Sequence, residues 1–240
     1  MVLDMNNLKW VVLFLISFPV CCFAKKERKN SLYGGVALKH SFCYNRSHLV
    51  NTDNIYYIHT KLQPVLQILD VYKVNNSWSV VSGLSISSSA YHIDYTYTTS
   101  KFQFYQTFAI KTTTLKLPIN IQTNLTKQMY ATAGVALNLL LHDSYSFESS
   151  ATGDDSIAIE YSFDAPFKDY VTISVQAGLA YRIRKKFFLT AQFDVDMGKY
   201  PAAYVSHHVI NLATNKQTTM EFNGRPRFYS VSLGINYKLW

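Results

Sequence analysis

The chain has 240 residues, of which 16% are charged and 15% aromatic, and it carries a formal net charge of +8. It is too apolar and too aromatic for a disordered chain, and its mean hydropathy of −0.01 excludes a bundle of membrane helices. A basic chain can bind nucleic acid, anionic lipid or lipopolysaccharide, and the total charge does not distinguish among these partners.

The N-terminus predicts export. Residues 10–23 form an apolar block that is shorter than the roughly 20 residues of a membrane-spanning helix. Small residues, ending at Ala24, occupy the positions that a signal peptidase reads. We therefore predict a signal peptide over residues 1–24, Sec-type export and a mature chain that begins near Lys25. A lipoprotein cleaved before Cys21 or Cys22 is the alternative, and the residues before them match a lipobox poorly.

The remainder of the chain alternates with period two, which is the pattern of β-strands. In residues 171–183 every odd position is apolar, and every even position except Arg182 is small or polar and uncharged. An eighth strand is inferred over residues 62–74, where Asp70 interrupts the better apolar face. The seven periodic segments are residues 34–41, 78–87, 115–122, 129–142, 171–183, 187–198 and 229–239.

Face composition and loop lengths together favour a membrane barrel over a soluble β-sandwich or lipocalin-like barrel. The apolar faces of the seven periodic segments run without charges, as a lipid-facing band requires, and the opposite faces suit a narrow polar interior. The connections alternate between short turns (74–77, 125–128, 184–186) and long polar loops (42–61, 88–114, 143–169, 199–228). Short periplasmic turns and long external loops are typical of outer-membrane barrels. We predict an all-β protein with an eight-stranded antiparallel transmembrane β-barrel over residues 25–240.

The strand register predicts two groups of side chains. Charged residues on the inward faces must be paired or hydrated, so we expect an interior polar network. Its members are Lys39, Lys116, Arg182, Asp194, Asp196 and Lys238. Aromatic residues on the outward faces near the short turns should form a periplasmic girdle. These are Trp78, Tyr181, Phe187 and Tyr237.

Few residues suggest chemistry. A rim enzyme could use Ser206, His207 and His208, or His142 with Asp143, but adjacent histidines on a strand would face opposite ways and a solvated loop is favoured. The acidic loop around Asp154 and Asp155 lacks the spacing of a calcium loop. We predict no catalytic residue, metal or cofactor. No nucleic-acid partner is expected either, because the girdle and the loops account for the aromatic residues.

The sequence also resembles the PorT-like family of small eight-stranded Gram-negative outer-membrane β-barrels. The resemblance covers most of residues 31–240 and is carried by WSVVSGLSIS from Trp78, LKLPI from Leu115, AGVAL from Ala133, VQAGLAY from Val175 and SLGINYKLW from Ser232. It implies a fold and a membrane, and it implies no reaction.

The C-terminus resembles the signal that the barrel-assembly machinery reads. That signal is an aromatic last residue on an alternating strand, here formed by Tyr237, Leu239 and Trp240. Trp240 departs from the pattern, because it falls on the polar face of its strand.

The predicted function is that of a structural or interaction barrel in the Gram-negative outer membrane. It would display loops outside the cell or dock to envelope or secretion machinery, without catalysis. A narrow channel is the alternative, and a rim hydrolase acting on outer-membrane lipid is a weaker one. The expected partners are outer-membrane lipid, lipopolysaccharide, the barrel-assembly machinery and an envelope or secretion protein.

Overall fold

A computed structural model describes residues 30–43, 54–98, 102–153, 157–164, 171–197, 204–211, 216–223 and 228–240. Eight long strands form one sheet: β1 (Asn30–Cys43), β3 (Gln63–Lys73), β4 (Trp78–Thr98), β5 (Phe102–Asn124), β6 (Met129–Gly153), β8 (Val171–Arg184), β9 (Phe187–Asp196) and β12 (Phe228–Lys238). Four shorter strands accompany them: β2 (Asn54–Thr60), β7 (Ile157–Asp164), β10 (Tyr204–Asn211) and β11 (Lys216–Asn223). No helix in the described residues is long and apolar enough to span a membrane. The predicted signal peptide lies outside them.

The eight long strands close into a barrel. Going round it, they follow the order β1, β3, β4, β5, β6, β8, β9 and β12, and β12 pairs with β1. Every neighbouring pair is antiparallel. Each of the eight predicted segments overlaps one barrel strand, so the prediction of a closed eight-stranded antiparallel barrel is confirmed.

The two faces of each strand differ as the alternation predicts. On β8, Val175 and Leu179 are exposed on the outside of the barrel, whereas Ser174 and Gln176 are buried inside it. Large apolar side chains are exposed on every barrel strand, and together they form an outward apolar surface. Soluble monomeric proteins rarely expose an apolar surface of this extent to water. Leu117 and Leu139 are two exceptions, because they have outward register and yet are only 9% and 4% exposed.

The end of the barrel opposite the short turns contains more β-structure than the sequence pattern indicates. Strands β4, β5 and β6 have 21, 23 and 25 residues, whereas about 9–11 residues cross a bilayer. The prediction of a long polar loop over residues 88–114 is wrong, because β4 and β5 continue as a hairpin through most of it. Strand β2 pairs with the outer part of β4. Strands β7, β10 and β11 form a separate three-stranded sheet within the other long connections.

A bulge in β6 reverses which of its residues face inward. Thr113 pairs with His142 and Thr114 pairs with Leu140, so Leu141 is an extra residue on β6. One extra residue shifts a period-two pattern by one position. Even-numbered positions of β6 therefore face inward before the bulge, and odd-numbered positions do so after it.

This reversal predicts a labelling pattern along β6. In a Cys43→Ser chain that begins at Lys25, cysteines at Ser144 and Ser146 should react readily with a water-soluble maleimide, because both positions are outward and exposed. Cysteines at Asp143 and Tyr145 should react slowly, because both are turned inward. Mass spectrometry of timed reactions measures the rates. Fast labelling at the odd positions instead would contradict the bulge.

Candidate functional site

The barrel interior is organised around one buried carboxylate. Asp194, on an inward position of β9, lies 3.0 Å from the ammonium of Lys116 on β5. Its Oδ1 also accepts hydrogen bonds from Gln176 Nε2 at 2.6 Å and Gln192 Nε2 at 2.9 Å. Ser230 Oγ donates to Oδ2 at 3.5 Å. Strands on both sides of β9 thus supply donors to one carboxylate, which compensates for its removal from water.

A second cation and a second anion complete this charged layer. Lys39 is 8% exposed and lines the same cavity as Lys116 and Asp194. Asp196 is also buried and accepts a hydrogen bond from Asn138 Nδ2 at 3.4 Å. The layer therefore contains two basic and two acidic side chains, whose formal charges balance.

Between these groups lies a cavity of about 50 Å³, whose lining includes Lys39, Lys116 and Asp194. Two buried side-chain oxygens, Asn120 Oδ1 and Gln176 Oε1, accept no hydrogen bond within the described part of the chain. A water needs roughly 10–15 Å³ of such space, so the cavity has room for about three to five waters. Polar walls and oxygens that need donors favour a hydrated pocket over an open pore.

Aromatic side chains pack in the interior on both sides of the charged layer. Near the short turns, the Phe188 ring lies 5.3 Å from that of Tyr33 and 6.0 Å from that of Tyr130, measured between centroids. At the end opposite the short turns, the Tyr91 and Phe228 rings are 5.2 Å apart, and both side chains are buried in the interior. These two layers were not predicted from the sequence, although the inward register of Tyr130 and Phe188 indicates the first.

Two of the six predicted network residues lie away from this cluster. Arg182 and Lys238 have inward register but sit at the short-turn end of the barrel, where both are half-buried. The guanidinium of Arg182 donates a hydrogen bond to the backbone oxygen of Lys127. The structure therefore brings together four of the six residues and places the other two at the barrel mouth.

The four aromatic residues predicted for the girdle are all exposed on the outside, beside the short turns. The rings of Phe187 and Tyr237 are 5.0 Å apart, and Tyr181 Oη donates to Gln128 Oε1 at 2.9 Å. Trp78 begins β4 directly after its turn. Their position is compatible with a membrane interface, and the girdle itself stays a prediction.

The C-terminal residues continue the barrel wall. Leu239 N donates to Leu32 O at 2.8 Å, and Leu32 N donates to Trp240 O at 3.1 Å. Tyr237, Leu239 and Trp240 are all exposed. They are thus accessible to an assembly factor, and recognition by one stays a prediction.

The candidate catalytic residues of a rim enzyme do not form an active site in the described part of the chain. His142 is exposed on the outward side of β6, whereas the neighbouring Asp143 is turned inward and accepts a hydrogen bond from Tyr145 Oη at 2.5 Å. Ser206, His207 and His208 lie on β10, whose side chains are outside the described set. Among the described residues, no three His, Cys, Asp or Glu side chains form a group that could hold a metal ion.

Comparison with protein families agrees with this architecture. The model of the outer membrane protein beta-barrel domain family matches residues 25–198. No curated protein sequence matches this chain. Among solved structures, Ail of Yersinia pestis is 11% identical, with 88% of this chain and 97% of that chain covered and a TM-score of 0.37. OprG of Pseudomonas aeruginosa is 9% identical, covering 88% and 95%, with a TM-score of 0.38. AlkL is 15% identical, covering 90% and 93%, with a TM-score of 0.39. Similarity this low carries no argument about function.

The chain belongs to the outer membrane protein beta-barrel domain family, whose model matches more than half of its length. It is a protein of the Gram-negative outer membrane, which it crosses with β-strands. Its outward apolar surface contacts the lipid of that membrane.

Proposed function

We propose that this chain is an interaction barrel without catalytic activity. Its closed barrel anchors a β-structured external surface that engages a partner outside the cell or in the envelope. We also propose that it belongs to the PorT-like branch of the family and that the barrel-assembly machinery inserts it through its C-terminal strand. Lipopolysaccharide is the expected neighbour of its external end.

The filled interior is the observation that carries the proposal. The charged layer around Asp194 holds a cavity of about 50 Å³, which is room for a few waters and none for an organic solute. Aromatic layers lie on both sides of it. An eight-stranded barrel is just wide enough for its own side chains, so such an interior supports anchoring more than transport.

The external strands supply a surface that a partner could use. Strands β4 and β5 stay paired as far as Thr98 and Gln103, and β5 stays paired with β6 as far as Phe102 and Gly153. These three strands therefore extend as one sheet well past the 9–11 residues that cross a bilayer. A partner that binds this extended sheet is the mode of interaction that we expect.

Conductance measurements test the closed interior. Purified barrels in planar bilayers should give no steady channel, and Asp194→Asn should leave the baseline unchanged. Large and reproducible conductance steps in the unmodified protein would contradict the proposal.

A narrow channel is the second candidate, because Lys39, Lys116 and Asp194 line a polar cavity in the middle of the barrel. In that case small ions would pass in single file, and charge at the constriction would set their selectivity. Asp194→Asn would then shift the reversal potential in a salt gradient, whereas removal of the exposed Lys111 charge at the external end would shift it less.

A further inference from the structure

The short-turn end of the barrel is strongly basic. Five of its cations are exposed, and Arg182 and Lys238 beside them are half-buried. The exposed cations are Lys73, Lys127, Arg184, Lys185 and Lys186. In the sequence, Lys-Lys-Glu-Arg-Lys at positions 25–29 directly precedes the end of β1 that reaches the same rim. We call the seven structurally described cations the basic rim.

Acidic side chains do not balance the basic rim. Among the described residues near the short turns, Asp70 is the one acidic side chain, and it accepts a hydrogen bond from Asn30 Nδ2 at 3.3 Å. The external end is mixed by contrast, since Asp94, Asp143 and Glu148 accompany Lys61 and Lys111 there. The excess of positive charge is therefore a feature of one end of the barrel.

We propose that the basic rim binds the phosphate head groups of anionic phospholipids in the periplasmic leaflet of the outer membrane. Short turns face the periplasm in outer-membrane barrels, so the rim lies at the level of that leaflet's head groups. Clusters of Lys and Arg at a membrane surface attract anionic lipid. Phosphatidylglycerol has the required chemistry, with one phosphodiester charge beside acyl chains that can lie along the apolar band.

Side-chain geometry favours lipid over an acidic protein. Lys186 Nζ lies 5.7 Å from the centroid of the Tyr237 ring, which is on the outward face of β12. This ammonium is therefore held over the wall of the barrel, at the border of the apolar band, rather than over the mouth. Long basic side chains adopt such positions when their stems lie along apolar surface and their charges reach head groups.

Spin-labelled lipids test the proposal. The mature barrel is reconstituted in phosphatidylcholine bilayers with spin-labelled phosphatidylglycerol or spin-labelled phosphatidylcholine, and electron paramagnetic resonance measures the fraction of motionally restricted lipid. We expect phosphatidylglycerol to be preferred, and the preference to weaken as salt is raised. The double variant Lys185→Gln/Lys186→Gln should lower the preference for phosphatidylglycerol at least about twofold. The upper limit of the loss is roughly fivefold for each cation removed.

Lys61→Gln/Lys111→Gln is the matched control, because it removes two exposed cations from the external end. It should leave the preference unchanged, and the mobility difference between heated and unheated samples on gels verifies the fold of both variants. Equal association of the two lipids with the unmodified barrel would overturn the proposal, as would equal loss in the two variants. Equal association together with salt-sensitive binding of polyglutamate would assign the rim to an acidic protein instead.

Discussion

Asp194→Ala is expected to destabilise the folded barrel by about 3–5 kcal/mol, which is the usual effect of removing one partner from a buried ion pair. The substitution leaves the Lys116 ammonium without the carboxylate that now lies 3.0 Å away. It also leaves the amides of Gln176 and Gln192 without their acceptor. Urea unfolding of the barrel in lipid vesicles, followed by tryptophan fluorescence, measures the loss.

A pair of further variants separates charge from packing at this position. Asp194→Asn keeps the shape and an oxygen that can accept from Gln176, so its loss of stability reports the uncompensated charge of Lys116. Adding Lys116→Met removes that charge, and the double variant should be more stable than Asp194→Asn alone. The coupling between the two sites should fall within about 0.5–3 kcal/mol. A double variant as unstable as the sum of the two single variants would contradict a direct ion pair.

The sequence pattern predicts the membrane-crossing part of the fold well because lipid imposes a strict alternation there. In β8, each residue contacts either hydrocarbon or a crowded polar interior, so apolar and polar side chains alternate without interruption. Outside the membrane this constraint disappears. The outer parts of β4 and β5 therefore read as a polar loop although they pair over their whole length. The bulge at Leu141 is not predicted either, because the residues beyond it do not continue the lipid-facing alternation.

The candidate site is predictable in composition and less so in geometry. Register alone assigns Asp194 and Lys116 to the interior. Whether two inward residues meet depends on the stagger between strands, which the pattern within one strand does not contain. Lys116 meets Asp194 although β5 and β9 are not neighbours in the sheet, whereas Arg182 shares their inward register and lies at the mouth. The interior aromatic layers are not predicted for a related reason. An aromatic residue near a strand end is equally consistent with a girdle at the membrane interface.

Val175→Lys is expected to impair assembly, because it should lower the free energy of unfolding by about 2–4 kcal/mol. This is the cost of a lysine on the lipid-facing side near the middle of the bilayer. Val175 is exposed on the outside of β8, and its strand neighbours Val135 and Val195 place it within the apolar band. Ile183→Lys is the matched control, because Ile183 is on the same strand and is also exposed but lies beside a short turn. There the cost should fall to roughly 0–1 kcal/mol.

The fraction of folded protein after refolding into vesicles, read from gel mobility and from urea titration, compares these two variants. Single cysteines in a Cys43→Ser chain give an independent measure of orientation. A bilayer-soluble probe should label Ile173, Val175 and Leu179, which are outward and exposed, and should miss the buried Ser174 and Gln176. Equal losses for Val175→Lys and Ile183→Lys would contradict the depth assigned to the turn. Labelling at the even positions would mean that the faces are reversed, and labelling at neither set would mean that β8 does not cross the membrane.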